Sequence, residues 1–432
     1  MFNNGYQNLL LKSPIVKGVG PYLFTKNKKK YFDSTGGSTG TVTLGWGNKS
    51  IENSMIKQLK KIAHIDYKIF LDENRIKLKD LILSKKKHKL DDIYFSGNSG
   101  GEANEGAMKL SYQYHQATGK KNKKWFISRY QSFHGSSSET ISLGDKQNLH
   151  FFKDFFPNFR SKVSEHNIYR NKKKNESEEE YTDRSVLDIE NTILKIGPEK
   201  ICAFVAETMM GGLVGDVPPG KNYWKKIRKL CDKYDIHIIC DEVWCGSGTS
   251  GNLFCIDWDN ITPDFVSFGK TLTAGYFPLS VIVTKSKFLK KIKSTYDLIR
   301  LPSSTYQGHS LGVVAALETM KIINNKIFLD EVKKKGEYLR KTLHEELKKN
   351  EFFLNVRGRG MRNSLEYSTP NNDLFSLKIN NYALAKFNLI LGAKWHRNCF
   401  SGAININKKD LDKLIDQFLK SYLFVYKNWK LK

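Results

Sequence analysis

Asp241 and Lys270 are the residues whose types and spacing point most directly to chemistry. The apolar run 236–240 stops at an adjacent acid pair, Asp241 and Glu242, and the run 265–268 stops at Gly269-Lys270. Charged groups seldom stand beside a core unless they are paired or working. In an open α/β sheet, ligands bind outside the carboxyl ends of the strands, where these two side chains would emerge. The expectation is that Asp241 and Lys270 grip the two ends of one bound cofactor.

Other stretches supply the walls of such a site. A short strand at 93–95 leads into SGNSGGEANEGAMKL, a Gly-rich loop that opens a helix. Backbone N–H groups at Gly100, Gly101 and the first helical turn, with the helix dipole behind them, make an anion cradle. A tight strand-to-helix turn would need the same glycines. The strand at 125–128 runs into Phe133-His134-Gly135, where an aromatic can lie flat against a planar ring. His134 carries weight only through that neighbour, since a lone histidine is more often a satisfied polar residue. A strand at 201–205 runs on to Glu207, and residues 223–234 have helical spacing.

Strands alternating with helices, each strand ending in a polar or Gly cluster, argue for a mostly parallel sheet. Residues 14–33 read as a small β-hairpin around a Lys-rich turn. The small-residue stretch after it reads as a loop passing close to a ligand or another backbone. Helical spacing returns at 51–62, 73–87, 311–323 and 326–349, with a strand at 279–283 and a helix near Phe288. Residues 171–183, NKKKNESEEEYTD, lack apolar periodicity and read as a solvated excursion. Residues 353–432 read as short strands and two helices, a small α+β domain.

With 432 residues, 40% of them hydrophobic and 12% aromatic, the chain is globular and large enough for two or three domains. No apolar run approaches the roughly 20 residues of a membrane span. The start, MFNNGYQNLLLKSPIVKG, lacks the layout of a signal peptide, so a cytoplasmic protein is expected. The formal charge of +27 comes from lysines spread along the chain, without a zinc-finger spacing or an RNP-like motif. A solvated Lys-rich surface is therefore expected rather than a nucleic-acid partner. None of the six cysteines forms a C-x-x-C pair, so buried thiols are expected and no metal site.

Several motifs, taken in order, resemble the class III aminotransferases, which use pyridoxal 5′-phosphate (PLP) on the fold-type-I scaffold. They are NSGGEANE (98–105), FHG (133–135), DEV (241–243), the Gly-rich turn to Gly251, PDFVSFGK (263–270), GYFPLS, STYQGH (304–309) and VRGRG (356–360). The similarity runs from about Pro14 to about Glu366. It implies an α/β fold with a mostly parallel central sheet in a large PLP-binding domain (51–310). The N-terminal segment (1–50) would pack with a smaller C-terminal α+β domain (311–432). It implies that Lys270 forms the Schiff base and relays protons, and that Asp241 holds the pyridine nitrogen protonated. Val243 and Phe133 would pack on the two ring faces, and Ser99, Gly100 and Gly101 would bind the phosphate. Glu207 and His134 would support the cofactor, and Thr305 would reach the phosphate of a neighbouring subunit in a homodimer. The implied reaction passes an amino group from a small amine or amino acid to a keto or aldehyde acceptor. The alternatives on the same scaffold are an aminomutase of the glutamate-1-semialdehyde type and a decarboxylating transaminase.

The chain also departs from the family pattern. Gly101 replaces a usual Ser or Thr, Thr208 a Pro, and Trp244 a frequent Gln. The turn GSGTSG lacks an Arg common there, and Ser136 stands where some members place a carboxylate-binding Arg. Cys399 falls near another Arg position, with Arg397 two residues earlier and on the same face if the segment is a strand. The expectation is that the familiar carboxylate clamp is missing or relocated.

Overall fold

The structure, a computed structural model, describes residues 13–84, 86–145, 154, 156, 158–296, 301–369, 374–394 and 396–429. The chain divides into two units. The smaller holds residues up to Asn53, Thr249–Gly251 and Asn325–Lys432, and the larger holds Ser54–Gly248 and Asn252–Asn324.

The described chain starts in the smaller unit with strands β1 (Ile15–Val19), β2 (Tyr22–Thr25) and β3 (Lys30–Asp33). The expected hairpin is thus a three-stranded meander, with β2 and β3 flanking the Lys-rich turn. The small-residue loop that follows makes its close approaches within the same unit. A Cβ on Gly45 would stand 2.8 Å from the carbonyl oxygen of Gly20, and one on Gly36 would stand 2.8 Å from that of Ser401. Its glycines therefore serve backbone packing.

Helices α1 (Lys49–Lys61) and α2 (Glu73–Leu83) lead to the larger unit's sheet. The helix expected over 73–87 stops at Leu83, capped by Ser84, and residue 85 lies outside the described residues. Strand β4 (Asp92–Gly97), helix α3 (Gly100–Ala117), β5 (Trp125–Arg129), α4 (Ser138–Leu143) and β6 (Arg160–Val163) follow. Helix α5 (Glu178–Ile196), β7 (Ile201–Glu207), α6 (Tyr223–Lys233), β8 (His237–Asp241), β9 (Phe265–Phe268) and β10 (Ser280–Thr284) complete the sheet. Its order is β4-β10-β9-β8-β7-β5-β6, and only β10 runs against the others. The carboxyl ends of β4, β5, β7, β8 and β9 consequently share one edge. Strands β7 to β10 are buried at every position, which is why they read as unbroken apolar runs. Asp264 fastens the opposite edge: it accepts from Arg228 and the Ile238 N–H at 2.8 Å each and from Lys285 at 2.7 Å.

The stretch read as a solvated excursion corrects that reading in its second half. Ser177 and Glu180 form a reciprocal capping box that starts α5, three glutamates fill the first turn, and Tyr181, Thr182 and Ser185 are buried. The S-x-x-E signature stands in the sequence, but its lysine-rich flank hides it. Helices α7 (Ser286–Thr295) and α8 (Ser310–Ile323) end the larger unit. The smaller unit resumes at Asn325, one helix later than the domain boundary expected at 311.

Back in the smaller unit, α9 (Lys326–Leu347) precedes an antiparallel sheet of β11 (Phe353–Arg359) and β12 (Arg362–Tyr367). Helix α10 (Phe375–Phe387), β13 (Leu389–Ile390), β14 (Gly392–Lys394), β15 (Arg397–Phe400) and α11 (Lys408–Trp429) close the described chain. Strand β13 pairs in parallel with β3, so the N-terminal strands belong to this unit's fold. The turns around Thr249 and Gly360 meet here: the Met361 N–H donates to the Thr249 carbonyl at 3.0 Å.

Candidate active site

The site sits at the shared edge of the larger sheet, and register alone brings its acids together. Glu207 pairs with Asp241 across β7 and β8, and Asp241 pairs with Ser267 across β8 and β9. Asp241 is buried, and its oxygens have different partners. Oδ2 accepts from Asn104 Nδ2 at 2.7 Å and faces His134 Nδ1 at 2.8 Å, while Oδ1 accepts the Val243 N–H at 3.0 Å. A carboxylate only accepts, so the proton of that histidine contact lies on Nδ1. His134 Nε2 and Asn104 Oδ1 are buried without a hydrogen-bond partner. Asn104 also donates to the His134 carbonyl at 2.8 Å. One amide thus ties the α3 helix, the FHG turn and the strand-end acid.

The acid pair divides into two jobs. Glu242 turns away from Asp241 to accept the Cys255 and Ile256 N–H groups at 2.6 and 2.7 Å and the Thr208 hydroxyl at 3.1 Å. Burial pushes its carboxyl well above the usual range. Glu242 is a structural clamp on the turn after β8. Thr208, at the proline position, uses both groups a proline lacks, since its N–H donates to the Asp241 carbonyl at 3.2 Å.

Glu207 accepts the Phe133 N–H at 2.9 Å and the Gly211 N–H. Burial pushes its carboxyl up, with the Asp241 charge adding to the rise and His134 opposing it. The Arg129 guanidinium, buried behind, donates to the Glu207 carbonyl. Phe133 itself is partly exposed.

The Gly-rich loop meets the other walls through its missing side chains. A Cβ on Gly100 would stand 2.4 Å from Val243 Cγ1, and one on Gly101 would stand 3.3 Å from Gly135 Cα. A Ser or Thr at 101 would crowd that turn, which gives a physical reason for the glycine. Ser99 is already engaged: its hydroxyl accepts the Glu102 N–H at 3.2 Å, and its own N–H donates to the Glu102 carboxylate at 2.9 Å. Gly100 and Gly101 are the first residues of an 18-residue helix, where backbone N–H groups lack intrahelical acceptors and could bind an anion.

Lys270 follows β9 directly and carries left-handed backbone, φ 42°. A Cβ on Gly269 would lie 3.4 Å from Gly100 Cα, so the lysine enters beside the cradle. Its Nζ stands 5.7 Å from the centroid of the Trp244 ring. Thr305 is exposed on the turn before α8, whose Gln307 donates to the Tyr67 hydroxyl at 2.8 Å.

Asn104 and Arg129 were not singled out from sequence, and Thr208 was noted only as a departure from proline, without its bonds to Glu242 and the Asp241 carbonyl. Asn104 had a signal, one turn beyond Gly100 on an Ala-rich helix face; the others act through long-range contacts that no local pattern shows. Arg397 lies in the smaller unit, buried on β15 directly across from Glu366, which also pairs with Arg357 and His396. Cys399 shares its face and accepts from Ser364. Among the described residues, no cluster of His, Cys, Asp and Glu suits a metal ion, and no helix is long and apolar enough to cross a membrane.

The donor set fits PLP: an acid with accepting capacity left on Oδ1, a helix-start anion cradle, a partly exposed aromatic and a lysine beside the cradle. The sequence profile of the aminotransferase class-III family matches residues 1–420. Gamma aminobutyrate transaminase 2 of Solanum lycopersicum is 35% identical over 82% of this chain and 77% of its own. Vanillin aminotransferase of Capsicum chinense is 30% identical over 96% of this chain and 92% of its own. The omega transaminase of Pseudomonas jessenii in complex with PMP superposes with a TM-score of 0.91, at 26% identity, over 99% and 96% of the two chains. On the strength of the whole-chain match, the chain belongs to the class-III aminotransferases and transfers amino groups with pyridoxal 5′-phosphate.

Proposed function

We propose that Lys270 and Asp241 are the working pair of this aminotransferase, and that its donor is a small amine or ω-amino acid. The observation that carries the pair is the Asp241 carboxylate. It is buried, aimed by His134 and Asn104, and set one strand from the lysine. PLP, when bound, supplies an aldehyde that links to amines and a cationic ring that accepts electron density. Asp241 would take the ring N–H on Oδ1 and so favour the protonated ring. Gly100 and Gly101, with the cap formed by Ser99, would hold the phosphate. Val243 and Phe133 would bracket the ring, with Glu207 fixing Phe133 and His134 fixing Asp241. Lys270 would link to the cofactor and carry protons on Nζ.

Relatives named for gamma aminobutyrate and vanillin support substrates whose reacting carbon bears no carboxylate. A homodimer is supported by an exposed apolar run, Ile69, Phe70 and Leu71, which are 76%, 56% and 85% exposed. That run adjoins the Thr305 turn, through the Tyr67–Gln307 bond and the stacking of His64 on His309 at 4.6 Å. Six free cysteines fit a reducing compartment such as the cytoplasm.

The test is a matrix of amine and ω-amino acid donors against separate keto and aldehyde acceptors. Exchange with amines or ω-amino acids supports the reading, and exchange confined to α-amino acids refutes the donor class. Borohydride reduction followed by peptide mass spectrometry should find the pyridoxyl group on Lys270. A label on another lysine refutes the assignment.

A further inference from the structure

Trp244 is held on several sides and faces Lys270 on another. Its indole N–H donates to Asp216 Oδ1 at 2.7 Å. Asp216 is buried and left-handed, φ 49°, and the next residue, Val217, bridges back to Met210. Gly211, in the same loop, lies against the indole: a Cβ there would stand 2.5 Å from Trp244 Cδ1. The Gly211 N–H is in turn bonded to Glu207, whose carboxylate also holds Phe133. Trp244 packs further on Met209, Cys245 and Cys255.

Lysine has a long, rotamer-rich side chain, and an amine that samples many positions reacts slowly with a fixed partner. An indole face is the best aromatic surface for an ammonium within about 6 Å. A carboxylate that accepts the indole N–H polarises the ring and strengthens that surface. We propose that Trp244, braced by Asp216, is a positioning residue for Lys270, its indole face holding the lysine amine in one orientation when the amine is unlinked. This rests on the reading of Lys270 as the amine that links to the cofactor.

The experiment uses the full chain freed of cofactor and pulse-labelled with trace acetic anhydride, with Lys270 acetylation followed by peptide mass spectrometry. Reconstitution with PLP and visible circular dichroism give a second readout, and far-ultraviolet circular dichroism checks the fold. Removing the ring face both destabilises the ammonium and unshields the amine, so Trp244→Leu should speed Lys270 acetylation by about 2- to 30-fold, the equilibrium worth of such a contact. It should also change the visible dichroism after reconstitution. Trp244→Phe keeps a face without the N–H and should acetylate more slowly than Trp244→Leu, within about 3-fold of wild type. Asp216→Asn still accepts the indole N–H without the charge and should fall between wild type and Asp216→Ala, which should join Trp244→Phe. Unchanged acetylation in a folded Trp244→Leu protein overturns the proposal, as does a Trp244→Phe rate equal to that of Trp244→Leu. Borohydride labelling of a different lysine would instead remove the reading beneath it, so the two failures are distinct.

Discussion

Gly100→Ala tests the geometry of the cradle most directly. The new methyl would stand 2.4 and 2.6 Å from the two Cγ atoms of Val243 and 3.0 Å from its Cβ. Carbon pairs prefer about 3.5–4.0 Å, so roughly 1 Å of retreat is needed. Val243 cannot supply it by turning, because a β-branched side chain has few rotamers and its N–H is bonded to Asp241. Either the start of α3 backs away, carrying the Gly100 and Gly101 N–H groups with it, or Val243 pulls on Asp241. Overpacking of this kind costs about 1–3 kcal/mol, partly offset by alanine's better helix propensity, worth up to about 1 kcal/mol. The larger effect falls on the cofactor, since a displacement near 1 Å at a reacting site can cost about 100-fold. PLP titration by visible absorbance, beside thermal melts, should show Gly100→Ala weakening cofactor binding at least about 10-fold for a small loss of stability. Val243→Ala removes both Cγ atoms, so the double variant should bind no worse than Val243→Ala alone. Wild-type binding by Gly100→Ala, or a double variant worse than either single, would refute the packing account.

Thr208→Pro, which installs the residue usual in the family, should destabilise the protein by about 1–3 kcal/mol in denaturant melts, because Glu242 and the Asp241 carbonyl each lose a donor. Asp241→Asn should keep the fold while turnover drops about 100- to 1,000-fold in a coupled assay, an amide being no substitute for charge at the ring nitrogen. If the proposed homodimer forms through the exposed run at Ile69–Leu71, wild type should have a dimer's mass by light scattering and Phe70→Asp or Leu71→Asp a monomer's; an unchanged mass in the variants would refute that interface. His237, bonded to Ser111 at 2.8 Å, is held by burial at about 4, below its unfolded value near 6.5. The unfolded chain therefore binds the extra proton first, and the stability tied to neutral His237, full above about pH 6.5, is lost as pH falls toward 4. The stability of wild type relative to His237→Asn should accordingly decline between pH 7 and pH 4.

The sheet and the ends of its strands were legible because buried parallel strands write themselves as apolar runs, and because Asp241 and Lys270 interrupt those runs abruptly. Local rules also reached the Gly-rich turn that opens α3, whose glycines pack against Val243 and Gly135; its use as an anion cradle belongs to the proposed function. The division of labour between Asp241 and Glu242 was not legible: adjacent acids look alike until the turn at Cys255 is seen returning to claim one of them. The reversed direction of β10 was equally hidden, because a strand buried on both faces has the same composition whichever way it runs. Residues 178–183 show the opposite failure, where a written capping signal lost to the charge around it.

The reversal of β10 has a consequence for the site as a whole. Strand β10 begins at the edge where β4 and β9 end, so between the cradle and the lysine no chain leaves the sheet. Two strand spacings, about 10 Å in all, separate the roots of the two loops, and the loop at Gly100 crosses that distance to meet Gly269 and Val243. Strand β10 is in effect a ruler laid between the two halves of the proposed cofactor site. Substitutions along it, such as at Ser280, which bonds Ser96 at 2.9 Å, would adjust the span from the Gly100 loop to Lys270 without touching either end.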